Sequence, residues 1–335
     1  MNTVEKKKNV ILLNMGGPRN IQEINTFLVN MFNDYHILNI KNSFIRNMVA
    51  KKIVNKIKPD VISHYEAIGG KSPINEYTEK LVNKLNKLDN SADYKYIMNY
   101  TPPYAYDVLK ELKNKNVEEI TLFSMYPQYS EVTVKSSLES VYKAIKKLKY
   151  NPKINIIDRY YYDYNYNNSI VQLIKESIVN KNPEEYVLIF SAHSIPKMYA
   201  DKGDPYEYEY ECNYNIEILK EKLHEEGVNF KDIVLSYQSK IGKIEWLSPA
   251  TIDIIKKYKG EKLIIYPLAF TIDNSETIYE IDMEYRKEAI NKYDIKDFIL
   301  VPCLNDSLNF AKTIIELSRN AEIYNSNISD IKEIV

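Results

Sequence analysis

Histidine is scarce in this sequence, with His36, His64, His193 and His224 as its four members. His193 follows the apolar run Tyr186 to Phe190 and sits in Ser191-Ala192-His193-Ser194-Ile195-Pro196. Neutral imidazole near pH 7 both ligates metals and accepts protons. A histidine just past an apolar run can do either, and a structural histidine is the competing reading. Glu276, Glu280 and Glu284 recur at intervals of four residues, so a helix would carry them on one face. Like charges at that spacing repel. A hydrated divalent metal, or Lys and Arg from elsewhere, could offset the repulsion, and a solvated acidic face is the plain alternative. Ile278, Ile281 and Met283 could supply an apolar face in either case.

Other motifs sit at the ends of apolar runs. Asn14-Met15-Gly16-Gly17-Pro18 contains a glycine pair that permits a tight turn or a close approach to a flat ligand. It lacks the third glycine of a dinucleotide fingerprint. Tyr65-Glu66-Ala67-Ile68-Gly69-Gly70-Lys71-Ser72-Pro73 reads as a loop leading into a helix. Tyr126-Pro127-Gln128-Tyr129-Ser130 places two aromatics where they could wall a planar ligand or pack a loop.

The elements that must position these residues alternate. Short β-branched runs over 9–15, 94–99, 119–126 and 154–158 are predicted strands, as are 186–192, 232–237, 262–267 and 298–302. Amphipathic stretches over 21–32, 76–88, 134–147 and 214–224 are predicted helices. Strand and helix in alternation predict α/β architecture with parallel sheets. Two groups of four strands predict two doubly wound domains, 1–160 and 161–335, dividing near the tyrosine-rich stretch 160–166. Ligands of such sheets bind beyond the carboxyl ends of the strands, where the motifs above lie.

Composition excludes several classes. With 45 basic and 46 acidic side chains the chain lacks the basic excess of a nucleic-acid binder. Two cysteines, Cys212 and Cys303, are too few for an iron–sulfur cluster, which takes about four ligands. They lack zinc-finger spacing and a secreted disulfide pattern, so a reducing cytoplasm is the expected compartment. No apolar run reaches the roughly 18 residues of a membrane span, and the first is too short for a signal-peptide core. An apolar lip for a flat ligand or for peripheral membrane contact would use Phe27, Leu28, Met31, Phe32, Ile37, Leu38 and Ile40. Helix core is the competing use for at least half of them.

The ordered series of motifs resembles the ferrochelatases over nearly the whole chain. Besides the stretches quoted, it includes Ser136-Ser137-Leu138, Gly203-Asp204-Pro205-Tyr206, Tyr237-Gln238-Ser239-Lys240-Ile241-Gly242, Glu245-Trp246-Leu247 and 276–282. The resemblance implies two Rossmann-like doubly wound domains with a porphyrin cleft between them, and insertion of ferrous iron into protoporphyrin to form haem. Iron and porphyrin are then substrates, no cofactor is needed, and a monomer is expected. The resemblance makes His193 and Glu276 the catalytic pair, with Glu280 joining them as a metal contact on an acidic path that continues to Glu284. It places Met15, Tyr65, Ser72 and Tyr126 near the porphyrin. His193 would accept a pyrrole proton, bind metal, or do both in turn. Ligands of this N/O type favour later divalent metals, so zinc or cobalt insertion is also expected. A chelatase for coproporphyrin or another tetrapyrrole and metal is the alternative, as is a tetrapyrrole binder without catalysis.

Three departures from the family pattern stand out. Asn274 occupies a position where many members carry histidine. Asn99-Tyr100 replaces an Arg-Tyr pair, removing a cation that could meet a propionate. The C-terminal cysteine cluster of the animal enzymes has no counterpart before Val335.

Overall fold

The computed structural model describes residues 7–197, 204–239 and 244–321. Gly203, the side chains of 204–206 and Lys240-Ile241-Gly242, all within the motifs above, lie outside the described residues.

Among the described residues, eight strands form two four-stranded sheets. The first holds β1 (Lys8–Asn14), β2 (Ala92–Met98), β3 (Glu119–Ser124) and β4 (Lys153–Ile157), in the order β2-β1-β3-β4. The second holds β5 (Tyr186–His193), β6 (Asp232–Gln238), β7 (Lys262–Pro267) and β8 (Asp297–Leu300), in the order β6-β5-β7-β8. Every pairing is parallel. The two orders are the same topology repeated, although the sequence shows no repeat. The central strands explain the unbroken apolar runs: Val10 to Leu13 and Val187 to Phe190 are buried along their whole length, since helices flank the sheets. The α/β class and the parallel sheets read from the sequence are the fold.

Among the described residues the chain divides into two compact units, one of 7–126, 131–159 and 306–321, the other of 127–130, 160–197, 204–239 and 244–305. The helix Leu308–Arg319, expected in the second domain, therefore belongs with the first. It packs against the helix Ile74–Leu88, Arg319 pairs with Asp89, and Lys84 pairs with Asp306.

Helix boundaries shift where caps decide them. Asn20 caps a 3₁₀ turn, Ile21–Glu23, before the helix Ile24–Phe32. The helix Ser43–Ala67 has Pro59 inside it and only a weak apolar stripe, so periodicity does not reveal it. Phe27 and Leu28 are buried with Val54, Tyr65 and Tyr100, and Met31, Phe32 and Ile37 pack on the same cluster. Phe27 and Leu28 serve as core, while Met31, Phe32, Ile37, Leu38 and Ile40 are half-buried. The exposed apolar residues of this region are Phe44, Ile45 and Met48. Among the described residues no helix is long and apolar enough to cross a membrane.

Among the described residues two segments are π-helical, each following the third strand of its unit's sheet in chain order. Glu131–Lys135 comes after β3 and leads into the helix Ser136–Leu148. Glu276–Tyr285 comes after β7 and leads into the helix Arg286–Tyr293. Such i→i+5 turns are rare and recur at functional sites.

Candidate active site

In the second unit, three strand ends bring the chemistry together. His193 is the last residue of β5, in register with Gln238, the last residue of β6. Glu276 opens the π-helix beyond β7. His193 Nδ1 lies 2.8 Å from Glu276 Oε2. A carboxylate only accepts, so Nδ1 carries the proton in this contact and Nε2 is the nitrogen left for other chemistry. Both side chains keep partial access to solvent, 35% for His193 and 27% for Glu276.

Glu276 Oε2 has further donors. Ser239 Oγ stands 3.0 Å away and Gln238 Nε2 3.3 Å away. Ser239 also reaches Glu280, donating its backbone N–H to Oε1 at 2.9 Å and approaching Oε2 with its hydroxyl. Tyr285 donates its phenol to Glu280 Oε1 at 2.6 Å. A continuous hydrogen-bonded series thus runs His193–Glu276–Ser239–Glu280–Tyr285. Ser239 holds this place at φ +64°, in the left-handed region that non-glycine residues seldom adopt.

The electrostatics follow from the contacts. Burial alone would lower the pKa of His193, but the charge and hydrogen bond of Glu276, with the charge of Glu280, raise it above the ordinary 6.5. Burial would raise the pKa of Glu276, yet His193 and the donors Ser239 and Gln238 bring it below 4.5. Glu280 is pushed up, first by burial and then by Glu276 beside it. Burial and Glu280 keep the Tyr285 phenol protonated.

The expected acidic face is only partly formed. Glu276 and Glu280 meet at Ser239, while Glu284 and Met283 are exposed. Ile281 alone of the three apolar neighbours is fully buried, against the second sheet's core. Among the described residues no three His, Cys, Asp or Glu side chains converge to hold a metal ion, so His193, Glu276 and Glu280 form no closed three-ligand cage. A metal met here would keep water in its shell.

The loop before Glu276 is tied down by its own polar groups. Asn274 Oδ1 accepts the Glu276 backbone N–H at 2.8 Å, and its Nδ2 donates to the Ile272 carbonyl at 3.3 Å. The Asp273 carboxylate takes Thr277 Oγ1 at 2.9 Å and Asn305 Nδ2 at 2.6 Å. Asp273 is thus committed to holding the loop.

The remaining predicted residues lie in the first unit. Met15 follows β1 and Tyr65 lies in the last turn of the helix Ser43–Ala67; both belong to the cluster around Phe27. Ser72 is buried against Gly17, and Tyr126, after β3, is buried as well. The glycine pair has a packing reason. Gly16 adopts φ +77°, and a Cβ on Gly17 would stand 2.5 Å from the Ser72 Cβ. Asn99 donates to Ser136 Oγ at 2.7 Å, and Tyr100 donates to Asp34 Oδ2 at 2.9 Å. Ser239, Gln238 and Tyr285 acquire no role from the sequence. The first two were visible only as part of the strand-end motif, and Tyr285 lies just beyond the last motif.

Comparison with known proteins identifies the family. Residues 7–322 match the profile of the Ferrochelatase family. A ferrochelatase of Helicobacter pylori strain P12 is 48% identical over 315 residues, covering 94% of this chain and 93% of the relative. One from Wolinella succinogenes is 47% identical over 317 residues, covering 95% and 99%. Among solved structures, the sirohydrochlorin chelatase SirB of Bacillus subtilis with cobalt shares the fold at TM-score 0.56 and 8% identity, covering 94% of this chain and 95% of that one. The chain belongs to the ferrochelatase family.

Proposed function

We propose that this protein inserts ferrous iron into protoporphyrin to form haem, using His193 and Glu276 as its central pair. The carrying observation is the 2.8 Å contact between His193 Nδ1 and Glu276 Oε2. Porphyrin and Fe(II) combine with loss of two pyrrole protons and of water from the metal. With Nδ1 held by Glu276, His193 Nε2 is the base that accepts the two pyrrole protons in turn, releasing the first toward solvent water before taking the second, and the carboxylate stabilises the imidazolium formed each time. Ser239, Glu280 and Tyr285 supply a hydrogen-bonded path away from Glu276. His193, Glu276 and Glu280 also supply the nitrogen and oxygen donors that the incoming metal meets as it sheds water. Met15, Tyr65, Ser72 and Tyr126 are assigned to the porphyrin.

On this reading the protein works in the cytoplasm as a monomer without a resident cofactor, iron being its substrate. Cys212 and Cys303 are both buried and take no part. The intact His193–Glu276–Ser239 arrangement favours a working enzyme over a binder that has lost catalysis. Anaerobic incubation with Fe(II) and protoporphyrin, followed by absorbance, tests the proposal, and coproporphyrin in parallel tests the choice of ring. Formation of ferrous haem from protoporphyrin is the expected result. Porphyrin binding without insertion of any metal would overturn it.

A further inference from the structure

A second histidine meets two glutamates in the first unit, and none of the three has a part in the proposed reaction. His36 lies in the short helix Tyr35–Leu38, with 4% of its side chain exposed. Its Nε2 is 2.8 Å from Glu139 Oε1. Because the carboxylate can only accept, Nε2 carries the proton of the neutral ring, and Nδ1 presents a lone pair. Nδ1 is buried and has no hydrogen-bond partner. It faces Glu131 Oε2 at 3.9 Å. Two acceptors set face to face repel unless something positive lies between them.

Distance decides what that is. A proton shared between nitrogen and oxygen draws them to about 2.7–3.2 Å. Two ligands of one ion, each about 2.0–2.2 Å from it, stand between roughly 3 and 4 Å apart. The observed gap fits the ion. The far side of the ring adds a second indication, since a metal-bound histidine commonly donates its other N–H to a carboxylate, here Glu139.

We propose that His36 Nδ1 and Glu131 Oε2 bind a hydrated divalent transition-metal ion. One imidazole nitrogen and one carboxylate oxygen select ions such as Zn(II), Co(II) or Fe(II) over Mg(II) or Ca(II). Among the described residues no third His, Cys, Asp or Glu converges there, so water completes the shell. Repeated topology supports the assignment. Glu131 opens the π-helix after β3 as Glu276 opens the one after β7, and each faces Nδ1 of a histidine. The residue four positions on differs: Glu280 beside Glu276, but Lys135 beside Glu131, where it pairs with Oε1. That internal cation makes the His36 site the weaker of the two.

Cobalt(II) is the probe, because its visible bands report nitrogen and oxygen ligation. Full-length protein carrying His193→Ala and Glu276→Gln removes the other pair from the count. Anaerobic equilibrium dialysis should then find about one bound Co(II), lost on adding His36→Gln or Glu131→Gln. Glu131 is part-exposed, so its variant keeps the test valid should the buried His36 variant fail to fold. Glu139→Gln should weaken binding about 10–100-fold. Lys135→Met should tighten it about 2–5-fold by freeing Glu131 from an ion pair, a gain that a purely structural cluster would not produce. Unchanged cobalt binding in both the His36 and Glu131 variants, or no binding before them, would overturn the proposal.

Discussion

His193 Nδ1 and Glu276 Oε2 are 2.8 Å apart although 83 residues separate them in the chain. One ends β5 and the other begins the π-helix beyond β7, and these strands pair directly in the second sheet. The contact orients the ring and strengthens Nε2 as a base. His193→Ala should therefore cut metal insertion by roughly 10²–10⁴-fold, the usual worth of a positioned acid–base group. Circular dichroism and porphyrin binding should stay close to wild type, since the side chain lies at a strand end and is part-exposed. Activity within a few-fold of wild type would remove His193 from its role.

Glu276→Gln should be more damaging than Glu280→Gln, because only Glu276 touches the imidazole. Ser239→Ala should fall between wild type and Glu276→Gln. It deletes the hydroxyl that both carboxylates use but keeps the backbone N–H on Glu280. Steady-state rates for the three variants give the ranking. Were Glu280→Gln the slowest, the order of groups along the series would be wrong.

Much of this was legible in the sequence, and the reason is local. Apolar β-branched runs such as 262–267 can only be strands buried on both faces, and β7 has those bounds. His193 stood out because it ends such a run. What was hidden depends on distant partners. Ser239 earns its place through carboxylates 37 and 41 residues away. The helix Leu308–Arg319 leaves the second unit to pack on Ile74–Leu88, and its own periodicity cannot name that partner. The π-helical turn places Glu276 and Glu280 at Ser239 and leaves Glu284 exposed, whereas fourfold spacing treats all three alike.

Gly17 offers a test of packing in the first unit. An added Cβ would meet Ser72 Cβ at 2.5 Å and Ile74 Cγ2 at 3.1 Å, and Ser72 is buried with little room to retreat. Gly17→Ala should cost about 1–3 kcal/mol, as overpacking does. Thermal melting should fall by several degrees, with the loss largely relieved in Gly17→Ala combined with Ser72→Gly. A melting point equal to wild type would show that the loop yields.

The pair's titration fixes a pH window. The folded-state pKa of His193 is raised above 6.5 and that of Glu276 is lowered below 4.5. The stabilisation from His193 is complete below its unfolded value and disappears as pH rises through its folded value. That from Glu276 is complete above its unfolded value and disappears as pH falls through its folded value. The ion pair is thus worth most between about pH 4.5 and 6.5. The stability gap between wild type and His193→Gln should peak there and shrink toward pH 9. Insertion should instead rise with pH above 6.5, as the imidazole loses its proton. Titration of the His193 ring by NMR should give a lower pKa in Glu276→Gln. A pKa that holds or rises would contradict the assignment.

Asn274 decides whether the departure from the family's histidine disables the site. Its Oδ1 accepts the backbone N–H of Glu276 and its Nδ2 donates to the Ile272 carbonyl, so the side chain turns back on its own loop. Both contacts are to backbone, and His193, Ser239 and Gln238 are the donors to the Glu276 carboxylate. Asparagine therefore works as a cap that sets where Glu276 begins the π-helix. Capping needs an acceptor, not an ionisable ring. Asn274→Asp should keep the cap and most of the rate. Asn274→Ala leaves a helix-start N–H without its partner, costing about 1 kcal/mol of stability. It should also lower turnover about tenfold through misplacement of the carboxylate. Asn274→His should not raise the rate at any pH from 6 to 9 if protons leave, as proposed, through Ser239 and Glu280. The measurement is steady-state insertion by wild type and the three variants, with porphyrin affinity determined separately. An inert wild type that histidine rescues would mean that the position carries a proton and that the cap is incidental.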